Sequence, residues 1–189
     1  MYFLNKIKRK LSNSKGSAVI EFGIGLMLFV MLLAFTIELL FVGNKRFNIG
    51  QETTDIARVL AKQGGVLKQA PQGYPGGEES YLNSQELLSK IEGRMLSADL
   101  GTYTEGVWKV TLTEYDKKGN ILREGLLTPS TYFDVDYMHS LDVRIEADYN
   151  WVLMKSFLGD TISKTTVGAK RHAVSEFKYD FDKWEGEEY

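Results

Sequence analysis

Glu21 is the residue whose placement most calls for chemistry. It stands immediately before the run "FGIGLMLFVMLLAFTIELLFV", Phe22 to Val42, in which Glu38 is the single charge. An acid at the centre of a membrane span costs about 2.5–3.5 kcal/mol on insertion scales, and less near an interface. The octapeptide "KGSAVIEF", Lys15 to Phe22, gives Glu21 its setting. A basic segment precedes it, and Gly16 is the last residue before the apolar stretch begins. A carboxylate at the edge of a span either stays wet or meets a cation that the rest of the assembly supplies.

Other chemistry is hard to find. The chain has no cysteine, which excludes disulfides, thiolate metal sites and cysteine nucleophiles. Its two histidines, His139 and His172, have no ligand-spaced partner in sequence, so no metal site is expected. "DKKGN" lacks the further acids of a calcium loop, and the two acids of "DVDY" (Asp134 to Tyr137) read as a solvated turn. Neither a Gly-x-Ser-x-Gly elbow nor a phosphate-binding Gly-Lys-Ser/Thr occurs. The expectation is a protein that is not an enzyme, without catalytic residues or cofactor. A membrane-anchored hydrolase is the weakest of three readings.

Charge is distributed unevenly. Five of the 23 Lys and Arg (Lys6, Lys8, Arg9, Lys10, Lys15) fall in residues 1–16, where there is no acid, leaving 18 against 25 Asp and Glu, a net of −7. An acidic body is a poor partner for nucleic acid. The basic flank next to an apolar run reads as a membrane-orienting signal.

The elements that position Glu21 follow from periodicity. As a helix, Phe22–Val42 would be about 31 Å long, the thickness of a hydrocarbon core, and it has no polar face. It reads as a transmembrane helix in the lipid bilayer, with the N-terminus in the cytoplasm and the rest outside. A secretory signal peptide fits less well, because the run is long and no Ala-x-Ala follows it. Glu38, near the far end, is expected to snorkel to the interface. The helix continues: Ile49, Ile56 and Leu60 form a stripe, and Gly64-Gly65 supplies a stop. One helix from about Ser17 to Gln63 would reach roughly 70 Å.

Residues 66–82, which hold "APQGYPGGEESY", read as a loop or linker. Asn83 and Glu86 are spaced as a capping box for a helix over Ser84–Ala98, with Leu87, Leu88, Ile91 and Met95 on one face. Beyond it the pattern becomes that of strands. Trp108, Val110 and Leu112 alternate with polar residues, and "DKKGN" turns into "ILREGLL". In "SLDVRIEADYN", Leu141, Val143, Ile145, Ala147 and Tyr149 take one face. A last strand places Val167, Ala169 and Ala173 inward. The fold class expected is α+β: a long N-terminal transmembrane and amphipathic helix, then a small domain with a short helix and an antiparallel sheet of three to five strands. The tail "KYDFDKWEGEEY" mixes acids with Tyr179, Phe181, Trp184 and Tyr189 and is expected to dock on its own sheet.

The basic segment, Gly16, "SAVIEF" and the immediate span together resemble the processing site of type IV-type prepilins. The stretch "TTDIARVLAKQGG" is also similar to the segment after the span in TadE-like minor pilins of the tight-adherence branch. The resemblance implies cleavage after Gly16 by a prepilin peptidase, with Ser17 as the first mature residue, Glu21 the fifth and Phe22 the sixth. Tight-adherence major pilins usually carry Tyr at that sixth place, so Phe22 departs slightly. The resemblance further implies a basic leader (1–16), a transmembrane helix (17–43), its amphipathic continuation (44–63), a Gly/Pro linker (64–83) and an extracytoplasmic pilin-like head (84–189). It implies as partners other pilin subunits, a membrane platform protein and its assembly ATPase. The role implied is a minor pilin or pseudopilin, a structural or priming subunit of a surface filament or of a related secretion or conjugation apparatus. In that setting the amine of Ser17 on one subunit meets Glu21 of a neighbour. The alternative is an uncleaved single-span anchor carrying an extracytoplasmic binding domain, which would be indifferent to Gly16 and Glu21.

Overall fold

A helix of 50 residues, α1 (Ser14–Gln63), fills the first third of the chain and would measure about 75 Å. The computed structural model describes residues 14–70, 74, 78–104, 106–159 and 164–176. The basic residues Lys6 to Lys10 and the aromatic tail lie outside them. Gly64, at φ +71°, ends α1 as expected of a C-terminal glycine. The chain folds as two compact units. Residues up to Phe41 form one together with Asn150–Ser163, and Val42–Tyr149 with the chain from Lys164 onward form the other.

In the first unit α1 is apolar all round. Residues 16–63 contain a window of mean hydropathy 2.5, long and apolar enough to cross a membrane. From Ser17 to Phe41 only Ala34 and Glu38 are buried, one turn apart on one face. A short helix lies between the last two long strands and belongs to this unit, where the sequence had suggested only head.

In the second unit the amphipathic half of α1 turns Ile49, Ile56, Ala57, Leu60 and Ala61 into the core. Helix α2 (Ser84–Ser97) starts on the expected capping box. The Asn83 side chain accepts from the N–H groups of Gln85 and Glu86, and Glu86 accepts from Asn83 N–H. Its Leu87, Leu88, Ile91 and Met95 are buried. The main sheet is antiparallel and has the order β3 (Ile121–Leu126), β2 (Trp108–Tyr115), β5 (Ser140–Asn150), β6 (Lys164–Val174). The register pairs Val110 with Ile145 and Leu112 with Val143, so the apolar faces of β2 and β5 coincide. The "DKKGN" turn forms as expected, with Asp116 Oδ1 accepting from the N–H groups of Lys118 and Asn120.

A second, two-stranded pair joins β1 (Gly65–Val66) to β4 (Phe133–Asp134). It lies where the sequence reads as the start of a linker. Gly65 has φ +111°, and a Cβ there would stand 2.0 Å from the Phe133 carbonyl oxygen. The backbone approach at this pair therefore demands glycine.

Candidate processing and assembly site

The residues singled out by the octapeptide lie on the first turns of α1. Gly16 is its third residue, within the segment where helical N–H groups lack intrahelical partners. Its φ is not in the left-handed region, and a Cβ added to it would meet nothing within 4 Å. Glycine also costs about 1 kcal/mol against alanine within a helix. Neither the backbone nor the packing of the described residues requires glycine at this place.

Ser17 and Glu21 are brought together. The Ser17 hydroxyl donates to Glu21 Oε1 at 2.9 Å, one turn along an exposed face. Phe22 beside them is 72 % exposed. Among the described residues that hydroxyl is the hydrogen-bond donor to Glu21, and a carboxylate with one such bond keeps acceptor capacity for a cation. No protein-family model, curated protein or solved structure matches the chain.

Glu38 differs in position from the sequence-based expectation. It does not snorkel: it is fully buried. Its carboxylate caps α3 (Leu153–Leu158), accepting from Val152 N–H at 2.9 Å on Oε1, and from Leu153 N–H at 2.6 Å and Met154 N–H at 3.1 Å on Oε2. The residue at the N-cap, Val152, has no side chain able to do this. An acid distant in sequence takes over the role that Ser, Thr, Asp or Asn plays locally, and it places negative charge at the positive end of the helix.

Two further charged clusters form in the head. His139 Nδ1 lies 2.8 Å from Glu114 and 3.8 Å from Asp136, and the ligand atoms of all three fall within 4.8 Å of one another. Arg123 occupies the other Glu114 oxygen at 2.7 Å and also holds Asp134 at 2.6 Å. Through Arg123, Glu114 and Asp134 an ion-pair network ties β2, β3 and β4. On the adjoining strands, buried Asp142 meets Lys170 at 2.5 Å and His172 at 2.9 Å. Burial alone would raise the Asp142 pKa, but hydrogen bonds from Lys170, Tyr115 and His172 outweigh it and hold the carboxyl below its usual range.

Glu52 behaves in the opposite way. It is buried on α1, with Arg94 Nη1 at 2.8 Å as an ion-pair partner, while that nitrogen's hydrogen bond goes to Asp55 at 2.6 Å. Burial raises the Glu52 pKa more than Arg94 and Lys90 lower it, and Asp55 adds to the rise. A raised folded-state pKa means that the protonated form favours folding. The associated stability is present below the unfolded value and is lost as pH rises through the folded one. Thermal melts of the wild type and Glu52→Gln between about pH 4 and about pH 8 are expected to diverge, the variant gaining relative stability with pH. Asp142 titrates alike in both and cancels in the difference. A variant that loses stability relative to the wild type as pH rises contradicts the assignment.

Proposed function

We propose that the chain is a TadE-like minor pilin or pseudopilin. It is inserted with residues 1–16 on the cytoplasmic side, cut after Gly16 by a prepilin peptidase, and assembled through α1. The observation that carries this reading is a glycine and an acid, at positions 16 and 21, that the packing of the described residues does not use. Loss of processing or assembly on changing either residue would therefore point to a partner outside the chain. Gly16 suits a peptidase, which must draw the scissile bond out of the first helical turn, where the helix is weakest. Glu21 suits a neighbouring subunit whose new Ser17 amine is cationic, since opposite charges attract strongly in a low-dielectric bundle and an unmatched one is penalised. The long apolar helix followed by an α+β head supports the same reading, and the five basic residues of 1–16 support the orientation.

Gly16→Leu tests it. A Cβ at position 16 meets nothing within 4 Å among the described residues, so the variant is expected to insert normally, yet to keep its first 16 residues when produced with a prepilin peptidase. The intact mass reads this directly. Equal processing of wild type and variant contradicts the proposal, and absence of processing in both favours the uncleaved anchor with a binding head.

A further inference from the structure

The clasp between Glu38 and α3 has a consequence for the segment Trp151–Leu158. Glu38 lies four residues before the end of the apolar run at Val42, which is about 6 Å along the helix axis. The three hydrogen bonds to Glu38 hold the start of α3 at that same depth. If α1 crosses a bilayer, α3 must then lie in the leaflet boundary on the side where residues 44 onward emerge.

Its composition fits that place. Met154 is buried, while Val152 is 69 % exposed and Phe157 and Leu158 are more than a third exposed. The large apolar side chains of α1 up to Phe41 are likewise exposed, so the two surfaces belong to one unit. Trp151 at the start of the segment is a residue type enriched at membrane interfaces. Backbone satisfaction is the stricter test. At lipid depth an N–H without an acceptor costs several kcal/mol, and a short helix has its unpaired N–H groups at its start. Those are the groups that Glu38 accepts from, and at the other end Gly159 N–H donates to the Lys155 carbonyl.

We propose that Trp151–Leu158 is a second membrane-contacting element, inserting Val152, Phe157 and Leu158 into the leaflet beside the end of α1. Glu38 is the positioning residue that makes this depth tolerable for the backbone. The inference rests on α1 spanning a bilayer and is independent of processing after Gly16.

The absence of cysteine makes the test clean. Single cysteines at Phe157, at Leu28 in the apolar run and at Lys118 in the head turn carry an environment-sensitive fluorophore. The full chain is reconstituted in phosphatidylcholine–phosphatidylglycerol vesicles. The Phe157→Cys probe is expected to emit to the blue of the Lys118→Cys probe and to be quenched by a nitroxide placed shallow on the lipid chains, but not by aqueous iodide. Val152→Cys should behave in the same way, which guards against a local folding defect at 157. Adding Glu38→Leu should shift both probes to the red and open them to iodide. Iodide quenching at 157 and 152 in the otherwise native chain overturns the proposal, as does shielding from both quenchers, which would mean that protein covers the segment. Should the Leu28→Cys probe itself escape lipid quenching, the spanning reading fails, and that outcome is distinct from a lipid-buried 28 with a wet 157.

Discussion

Exchanging Glu38 for leucine is expected to speed hydrogen exchange at the Val152, Leu153 and Met154 amides by about a hundredfold. Each hydrogen bond to a charged acceptor contributes roughly 1.5–3 kcal/mol, and losing all three leaves the start of α3 without acceptors. Leucine matches the volume but offers nothing to an N–H. Taking about 3 kcal/mol for the resulting local opening, at about 1.4 kcal/mol per tenfold, gives the hundredfold figure. Glu38→Gln keeps one acceptor oxygen and should show a smaller effect. Amides in the centre of β5, such as Ile145, belong to the other unit and serve as the control. Unchanged protection at residues 152–154 in the leucine variant would show that α3 is held by something other than the clasp.

Glu21→Ala should have the other large effect, on assembly and not on folding. Its side-chain hydrogen bond among the described residues is to Ser17 on an exposed face, so its loss leaves the chain stable. In a bundle of apolar helices the same change would strand a neighbour's amine. Removing one partner of a buried ion pair typically costs 3–5 kcal/mol. The variant is expected to reach the membrane and to be cut normally, while its share in a sheared filament fraction falls by about a hundredfold or more. Glu21→Gln should fail likewise, because the amide keeps the shape and loses the charge. Normal incorporation of either variant would remove Glu21 from the assembly account.

The parts of this molecule that were legible in its sequence are those whose cause is local. The Asn83–Glu86 capping box, the Asp116 turn and the apolar alternation from Leu141 to Tyr149 each rest on residues within a few positions of one another, although Asp142 on the polar side of that alternation is buried as well. The apolar run needed only length and composition. What escaped notice depended on distant partners. Val152 offers no capping side chain, so nothing near α3 announces a helix start; the cap is 114 residues away. The pair β1–β4 is two residues long on each side, too short for any periodicity, and Gly65 marks it only once Phe133 is seen beside it. Asp136, three residues away, is the one member of the His139 cluster that is near it in sequence; Glu114 comes from the neighbouring strand and could not be read there. For the candidate site, the octapeptide was readable as a pattern. The structure adds that a Cβ at Gly16 would meet nothing within 4 Å and that Glu21 accepts from Ser17 on an exposed face.

The central claim is that the chain is matured at Gly16, and the most direct measurement is the N-terminal sequence of the protein recovered from its native membrane. The account predicts a chain that begins at Ser17, with Glu21 as its fifth residue. A chain that still begins at Met1 would contradict it and leave a membrane-anchored binding domain in its place.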